Sequence, residues 1–373
     1  MQPRPDEVVY PGCETEYSVK ICFGGTRVKD ILRGPRLTAA EIDSVGDQII
    51  SELLAPNGTA TASMILFSHL PVEGWYRYRN VLQILPPPAT APRPAFLMAD
   101  HPFVLQFRFP TSSNGAVRDI RRSAKEHDII LTLSGLLAGS IWPLAQPGRH
   151  HWVFLPHEIG KPLCADYLQE GYSCPGFIME ADDFATVEGI PKIPQKDHSA
   201  YYASWGISRE SRFEIPGTLD QLLDGFYDLG VDCRVQFLRA CYWFDLAGKF
   251  YTCSRSAAFA ALVSSVETLM PPQEKGSQCK ECGHSLGKST TQRFVEFVDH
   301  MVPSGGGMEK ARKDVYRARS ALLHGGRLLP SDYLGLCPAA GAAAEFENMD
   351  HAQRLVRLVL ANWLGSQAGL AMS

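Results

Sequence analysis

The sequence predicts an α+β protein, with an N-terminal mixed or β-containing domain at residues 1–205 and an all-helical domain at residues 215–373. The first observation is the distribution of proline. Of the 26 prolines, 21 lie between Pro3 and Pro216, and none occurs from Gly217 to Met270. Since proline breaks helix interiors, the architecture is expected to change near residues 205–216. The second observation is a series of stretches with helical periodicity after that boundary.

The N-terminal half contains signals for strands, a helix and a stiff loop. Residues Phe103–Phe109 alternate between apolar and polar positions, which predicts a half-buried strand, and Trp152–Leu155 is a second short strand candidate. Apolar residues in Ile42–Leu54 recur with the spacing of an amphipathic helix. The proline-rich stretch Pro86–Pro94 predicts a stiff loop or linker.

The C-terminal half is predicted to form six helices. Thr218 is a candidate N-cap for the first of them, and proline or glycine residues end several of the others. The predicted helices are Leu219–Leu229, Val231–Phe250, Ser254–Met270, Thr290–Met301, Met308–His324 and Asp350–Leu364. In such a bundle, chemistry has to come from side chains that project from the helices.

Composition excludes several classes of protein. The 373 residues carry a net charge of −4 and are 45% hydrophobic, which excludes a disordered protein and a strongly basic nucleic-acid coat protein. Ten cysteines are too few for a small disulfide scaffold. The first residues lack the apolar core of a signal peptide, and the longest uncharged run, Ile129–Gly148, is too polar and broken for a membrane span. We therefore expect a cytoplasmic protein that has no membrane partner.

Positive charge is concentrated on one predicted helix. Between Gly306 and Arg327, six basic residues and two acidic residues give a local charge of +4. Five of the basic residues are candidates for contact with an RNA backbone: Lys310, Arg312, Lys313, Arg317 and Arg327. A second stretch, Trp75–Arg79, interleaves aromatic residues with arginines as single-strand binders do, but an exposed strand with cross-strand packing is the simpler interpretation.

The segment from Arg319 to His324 is the most informative in the chain. Met308, Val315 and Leu322 belong to an apolar stripe on the same helix, and Arg319 lies at the edge of that stripe. A cation beside a titratable imidazole suits phosphodiester cleavage, because one stabilises negative charge and the other moves protons. Positions five apart on a helix differ by about 140°, so the pair converges more naturally across two packed copies. A capping histidine at a helix C-terminus is the simpler interpretation.

The spacing Y-x-x-R-S-x-x-x-H-G at Tyr316–Gly325 resembles the signature of HEPN domains, in particular the Apea-like group. The order of the neighbouring segments is also similar, with apolar helices at Phe259–Leu269 and Arg354–Leu360 and a short one beginning at Arg293. The resemblance covers roughly residues 215–366.

This resemblance implies a homodimeric, metal-independent endoribonuclease of the kind used in anti-phage or toxin-like abortive-infection systems. Arg319 and His324 would be the catalytic residues. Ser320 and Glu267 would support them, with Glu267 pairing with the arginine side chain. Some members of the group have lost activity, so an inactive dimerisation or RNA-binding module is the alternative function, and a nucleotide-sensing switch is a third. No cofactor is required for catalysis.

A short cysteine motif predicts a structural zinc ion. Cys279 and Cys282 have the spacing of half a zinc knuckle, and His284 follows them closely. Four ligands are needed, so His284, His300, Cys253 or Cys337 would have to complete the site. Such an ion would fix the connection between two helices and take no part in cleavage. A free cysteine pair on a loop is the alternative.

Overall fold

The computed structural model describes most of the second half of the chain and parts of the first. The residues it describes are 7–11, 18–24, 27–32, single positions between 44 and 51, 55–91 except 90, 100–137, 141–143, 177–203, 212–272 except 252, 290–302, 315, 328–334 and 342–370. They belong to two compact units. The first comprises Met1–Thr61 and Arg108–Lys125, and the second comprises Ala62–Phe107 and Glu126–Ser373.

The first unit contains a three-stranded antiparallel sheet. Its strands, in spatial order, are β1 (Glu7–Pro11), β2 (Ser18–Gly24) and β3 (Arg27–Leu32). The register pairs Val8 with Ile21, and a bulge interrupts the pairing of β2 and β3 after Cys22. None of these strands was predicted.

A six-stranded sheet lies mostly within the second unit, to which all of its residues belong except Thr59–Thr61 and Arg108–Pro110. Its strands, in chain order, are β4 (Thr59–Ser68), β5 (Tyr76–Tyr78), β6 (Leu82–Leu85), β7 (His101–Pro110), β8 (Ile141–Pro143) and β9 (Glu180–Ala181). The spatial order is β5-β6-β7-β4-β8, and β9 pairs with β4. A separate parallel pair joins β10 (Gln195–Lys196) to β11 (Ile215–Pro216).

Strand β7 confirms the predicted strand but not its predicted burial. Phe103, Leu105 and Phe107 are each 0% exposed on one face. On the other face, Val104 and Gln106 are also buried, at 7% and 6% exposure. The strand is therefore covered on both faces along most of its length, and the polar residue that suggested a solvent-facing side belongs to a buried hydrogen-bond network.

Helices make up most of the remaining described residues. They are α1 (Gly115–Leu136), α2 (His198–Ala203), α3 (Leu219–Asp228), α4 (Val231–Phe250), α5 (Arg255–Leu269), α6 (Thr290–Met301), α7 (Pro330–Leu334) and α8 (Ala342–Gln367). Helix α8 packs against α3, α4, α5 and α6, and α4 packs along α5. The α+β class, with β structure towards the N-terminus and helices towards the C-terminus, is confirmed.

Several predicted elements can be compared with the structure. Helices α4 and α6 have the predicted bounds, whereas α8 begins at Ala342 instead of Asp350. The strand at Trp152–Leu155 lies outside the described residues, and so does Met308–His324 apart from one position. Of Ile42–Leu54, only single residues are described; they are helical, and Ile50 is 55% exposed. The domain boundary near 205–216 stays a prediction.

Thr218 precedes helix α3 as predicted, but its side chain does not cap the helix. The hydroxyl Oγ1 instead lies 2.6 Å from Nδ1 of His198 at the start of α2. Burial lowers the pKa of His198 below its usual value. The interactions of His198 with Asn362 and Asp197 raise the pKa, but by less than burial lowers it. The threonine therefore links α3 to α2 instead of satisfying a helix N–H.

Among the helices that the structure describes, none is both long and apolar enough to cross a membrane.

Candidate functional site

Most of the predicted site lies outside the described residues. This applies to the catalytic pair Arg319 and His324 and to the neighbouring Ser320. It also applies to the basic residues predicted to contact RNA, which are Lys310, Arg312, Lys313, Arg317 and Arg327. The zinc ligands Cys279, Cys282 and His284 lie outside as well. Their predicted roles stay predictions.

Glu267 is the member of the predicted site that the structure describes. It lies in the last turn of α5 and is half-buried. Its apolar neighbours on that helix are in the core, with Phe259, Leu262 and Val266 each 1% exposed. The glutamate therefore lies at the edge of the buried face, as the sequence pattern predicts.

Val315 is the one described residue between positions 303 and 327. It is helical and 2% exposed. Both properties agree with the apolar stripe predicted for this helix at that position, which would direct Val315 into the core.

Helix α7, which follows the predicted catalytic segment in the sequence, is hydrogen-bonded to the start of α5. Asp332 of α7 accepts three hydrogen bonds there, from Ser254 Oγ (2.9 Å), Arg255 N (2.9 Å) and Ser256 N (3.0 Å). In return, Ser256 Oγ accepts a hydrogen bond of 2.7 Å from the backbone N of Leu329. The carboxylate thus supplies partners for N–H groups that a helix N-terminus leaves unsatisfied. Residues 328–334 are therefore held against α5.

Replacing Asp332 with alanine is expected to lower the free energy of unfolding by about 2 kcal/mol, because the start of α5 loses a charged cap. Burial alone would raise the pKa of this carboxyl, but its hydrogen bonds from Ser256, Arg255 and Ser254 lower the pKa below its usual value. The stabilisation is therefore present above the unfolded-state pKa of 3.8 and is lost as the pH falls through the lower folded-state pKa.

Urea unfolding of wild type and Asp332→Ala at several pH values checks this expectation. The difference between them should be constant near neutral pH and shrink below about pH 4. A difference that is the same at all pH values would contradict a role for the ionised carboxylate.

Two tyrosine hydroxyls join strand β5 to helix α3. Tyr76 donates a hydrogen bond of 2.6 Å to Asp220, and Tyr78 donates one of 2.6 Å to Asp224. Arg79 forms an ion pair with the same Asp224 carboxylate at 2.6 Å. The two tyrosines are only 6% and 2% exposed. Their rings are therefore part of the core, and the Trp75–Arg79 stretch does not offer these two rings as platforms for stacking bases.

These tyrosines predict a loss of stability at alkaline pH. Burial, followed by the hydrogen bond to the neighbouring aspartate, raises the pKa of Tyr76 and of Tyr78 well above the usual 10.0, and burial raises that of Tyr227 to about 12. Above about pH 10 the unfolded chain loses these protons while the folded chain keeps them, so the free energy of unfolding falls as the pH rises.

Unfolding experiments between pH 8 and pH 11.5 measure this effect. The slope of the unfolding free energy against pH should be less steep in Tyr76→Phe, because one shifted group has been removed. Tyr242, which is 43% exposed, provides the control variant Tyr242→Phe, in which an exposed hydroxyl is removed instead of a buried one. Equal slopes in all three proteins would contradict the assignment.

A buried network of polar side chains crosses the sheet from β6 through β7 to β4. Gln83 of β6 donates a hydrogen bond to Oε1 of Gln106 on β7 (3.1 Å), and Gln106 donates to Oγ of Ser63 on β4 (3.0 Å). The loop after β9 closes the network, since Ala185 N donates to Gln106 Oε1 at 2.9 Å. The three side chains are 0%, 6% and 7% exposed.

Two members of this network, Ser63 and Gln106, line a cavity of about 960 Å³ in the second unit. Most of the wall is apolar, with Val72, Leu85 and Val104 from the sheet region. Further apolar residues come from three segments outside the strands: Pro86, Pro87, Pro88, Phe177, Ile178, Ile190 and Pro191. Sequence reasoning did not identify this cavity, because its walls come from distant segments. The sequence signal that could have indicated a buried polar site is the presence of one glutamine within each of the apolar strands β6 and β7.

Within the described part of the chain, no three histidine, cysteine or acidic residues are grouped closely enough to hold a metal ion. Since the cysteine motif at 279–284 lies outside that part, the zinc prediction is unaffected.

Compared with known proteins, the chain matches no family model, no curated protein and no solved structure. The resemblance to HEPN domains therefore rests on the sequence motif and on the order of the helices.

Proposed function

We propose that the protein is a metal-independent endoribonuclease of the HEPN type that acts as a homodimer in anti-phage defence or abortive infection. The observation that carries the proposal is the Arg319–His324 motif. It lies in the stretch Gly306–Arg327, which has a local charge of +4. The order of the described helices α5, α6 and α8 is the order that the resemblance implies, and α8 packs against the other two. The buried, helical Val315 agrees with the predicted orientation of the helix that carries the motif.

The proposed reaction is transesterification within the RNA chain. The ribose 2′-hydroxyl attacks the adjacent phosphorus, and the bond from phosphorus to the 5′-oxygen breaks. His324 takes the proton from the attacking hydroxyl and returns one to the leaving oxygen, while Arg319 stabilises the charge on the phosphoryl oxygens. The products are a 2′,3′-cyclic phosphate and a 5′-hydroxyl. Glu267, at the edge of the buried face of α5, would hold the arginine side chain.

The proposal is tested with purified full-length protein and end-labelled single-stranded RNA in excess EDTA. Wild type should cleave the RNA and leave 2′,3′-cyclic phosphate ends, and an oligonucleotide with a 2′-deoxyribose at the cleaved position should be resistant. The double variant Arg319→Ala/His324→Ala, purified in the same way, should be inactive. Cleavage that stops in EDTA or persists in the double variant would overturn the proposal.

Binding of RNA without cleavage by wild type would instead favour the inactive module. Light scattering after size-exclusion chromatography tests the homodimer, since a monomer at the assay concentration would argue against a cleft built from two copies. Elemental analysis of the untreated protein tests the structural zinc separately. Protection of cells against phage by wild type, and its loss in His324→Ala, would support the defence role.

A further inference from the structure

The cavity in the second unit has the dimensions of a small-molecule site. Its volume of about 960 Å³ lies at the upper end of the range for such sites, and a mainly apolar wall with a few buried polar groups is typical of them. None of the residues assigned to RNA cleavage is among those that line the cavity, so an inference about it is argued independently of that proposal.

The hydrogen-bond network fixes the donors that the cavity offers. Ala185 N can only donate, so the atom of Gln106 that it contacts is the carbonyl oxygen Oε1. The amide Nε2 of Gln106 must then be the atom facing Ser63 Oγ, which accepts its hydrogen bond. Gln83 Nε2 also donates to Oε1. Both acceptor positions of that oxygen are therefore used within the protein.

Two donor hydrogens remain at the cavity wall. The Ser63 hydroxyl accepts from Gln106, and its own hydrogen has no acceptor among the described residues. The second Nε2 hydrogen of Gln106 also lacks one there. Both side chains are more than nine-tenths buried, with 7% and 6% exposure, and both line the cavity. A buried donor without an acceptor is costly, so a ligand oxygen would be stabilised at this position.

The charges around the cavity argue against an anionic ligand. Glu73, Asp183 and His101 belong to its lining, and the described lining residues include no lysine or arginine. Arg212 lies 3.6 Å from Glu73, but both side chains of this ion pair are largely exposed, so it offsets little of the local charge. A phosphate or carboxylate would lose its hydration beside two carboxylates, with His101 as the one described lining residue that can carry a positive charge.

We infer that this cavity binds an uncharged or cationic, mainly apolar small molecule, whose hydrogen-bond acceptor oxygen is bound by the Ser63 hydroxyl and the Gln106 amide. The class includes aromatic and alicyclic ketones, esters and amides. Nucleotides are anionic and do not belong to this class of ligand. The inferred ligand therefore differs from the one that the nucleotide-sensing alternative requires.

The test uses an uncharged fluorescent ketone, 6-propionyl-2-(dimethylamino)naphthalene, as the probe. Its emission should shift to the blue on titration with wild type. Three competitors of similar shape should differ: 2-acetylnaphthalene should displace the probe, 2-ethylnaphthalene should do so more weakly because it has no acceptor, and anionic 2-naphthoate should be at least about tenfold weaker than the ketone.

Two variants locate the binding. Val104→Trp fills the cavity and should weaken probe binding by at least about tenfold, since the bulky side chain occupies the ligand volume. Ser63→Ala removes one donor and should weaken 2-acetylnaphthalene about three- to tenfold while leaving 2-ethylnaphthalene unchanged. The control Ser134→Ala removes a buried serine, 5% exposed, that donates to the carbonyl of Ile141 and does not line the cavity, so it should bind the probe like wild type.

Circular dichroism establishes that each variant is folded, and Ser63→Ala alone decides the outcome if Val104→Trp does not fold. The inference is overturned if wild type does not bind the probe or if folded Val104→Trp binds it equally. It is also overturned if naphthoate competes as well as the ketone, or if Ser63→Ala leaves the difference between the ketone and the hydrocarbon unchanged.

Discussion

The His324→Ala variant is expected to cleave RNA about 10²- to 10⁴-fold more slowly than wild type, because it lacks the group that moves protons in the proposed reaction. Single-turnover cleavage rates in EDTA measure this effect. Thermal unfolding of the same preparation shows whether the variant is folded. The matched control is His127→Ala, since His127 is an exposed histidine on α1, away from the predicted motif in the sequence.

Arg319 is expected to contribute through charge, and two substitutions separate charge from geometry. Arg319→Ala should lower the cleavage rate about 10²- to 10³-fold, because the transition state loses a stabilising cation. Arg319→Lys keeps the charge but loses the planar guanidinium, so its rate should lie between those of alanine and arginine. RNA affinity should change less than the rate in both variants.

A cleavage rate of His324→Ala equal to that of His127→Ala would rule out the assigned role of His324.

The Gly74→Ala variant is expected to lose about 3 kcal/mol of unfolding free energy, the largest effect on stability predicted for this protein. A Cβ atom at Gly74 would lie 2.7 Å from the backbone N of Ile193 and 2.8 Å from the carbonyl carbon of Lys192. These atoms cannot move aside easily, because Trp75 N donates to the Pro191 carbonyl and Ile193 N donates to the Trp75 carbonyl, each at 2.8 Å. Relieving the clash would break this backbone pairing.

Gly248→Ala is the control for this substitution. Gly248 is an exposed residue within α4, and a Cβ atom there would meet nothing within 4 Å. Alanine has the higher helix propensity, so this variant should gain about 0.5–1 kcal/mol. Urea unfolding of both variants provides the comparison. A small or absent loss in Gly74→Ala would show that residues 191–193 adjust without losing their pairing with Trp75.

The helical half could be predicted well because its signals are local. Helices α4 and α6 begin and end where glycine and proline residues and apolar periodicity indicated. The predicted helix Ser254–Met270 is one residue shorter at each end, since Ser254 and Met270 act as caps. Helix α8 begins eight residues before its predicted start at Asp350, because the alanine-rich sequence that precedes Asp350 has a high helix propensity.

The cavity and the sheet could not be predicted in the same way. Periodicity indicates which residues share a face of one element, but not which elements meet. Ser63 and Gln106 are 43 positions apart, and Ala185 lies 79 positions beyond Gln106. Residues Phe103–Phe109 showed a strand, yet the alternation did not reveal that its polar face is also covered. For the catalytic motif the limit is different, because Arg319 and His324 lie outside the residues that the structure describes.

The tyrosine contacts between β5 and α3 also have a consequence for the synthesis of the protein. The hydrogen bond of Tyr76 spans 144 positions of the chain, and that of Tyr78 spans 146. At about 5–20 residues per second, translation separates the two partners by roughly 7–30 s. During that interval the strand can form its hairpin with β6, but its hydroxyl groups remain bonded to water. A nascent chain arrested before Asp220 should therefore expose these aromatic residues to chaperones and proteases, and release of the complete chain should protect them.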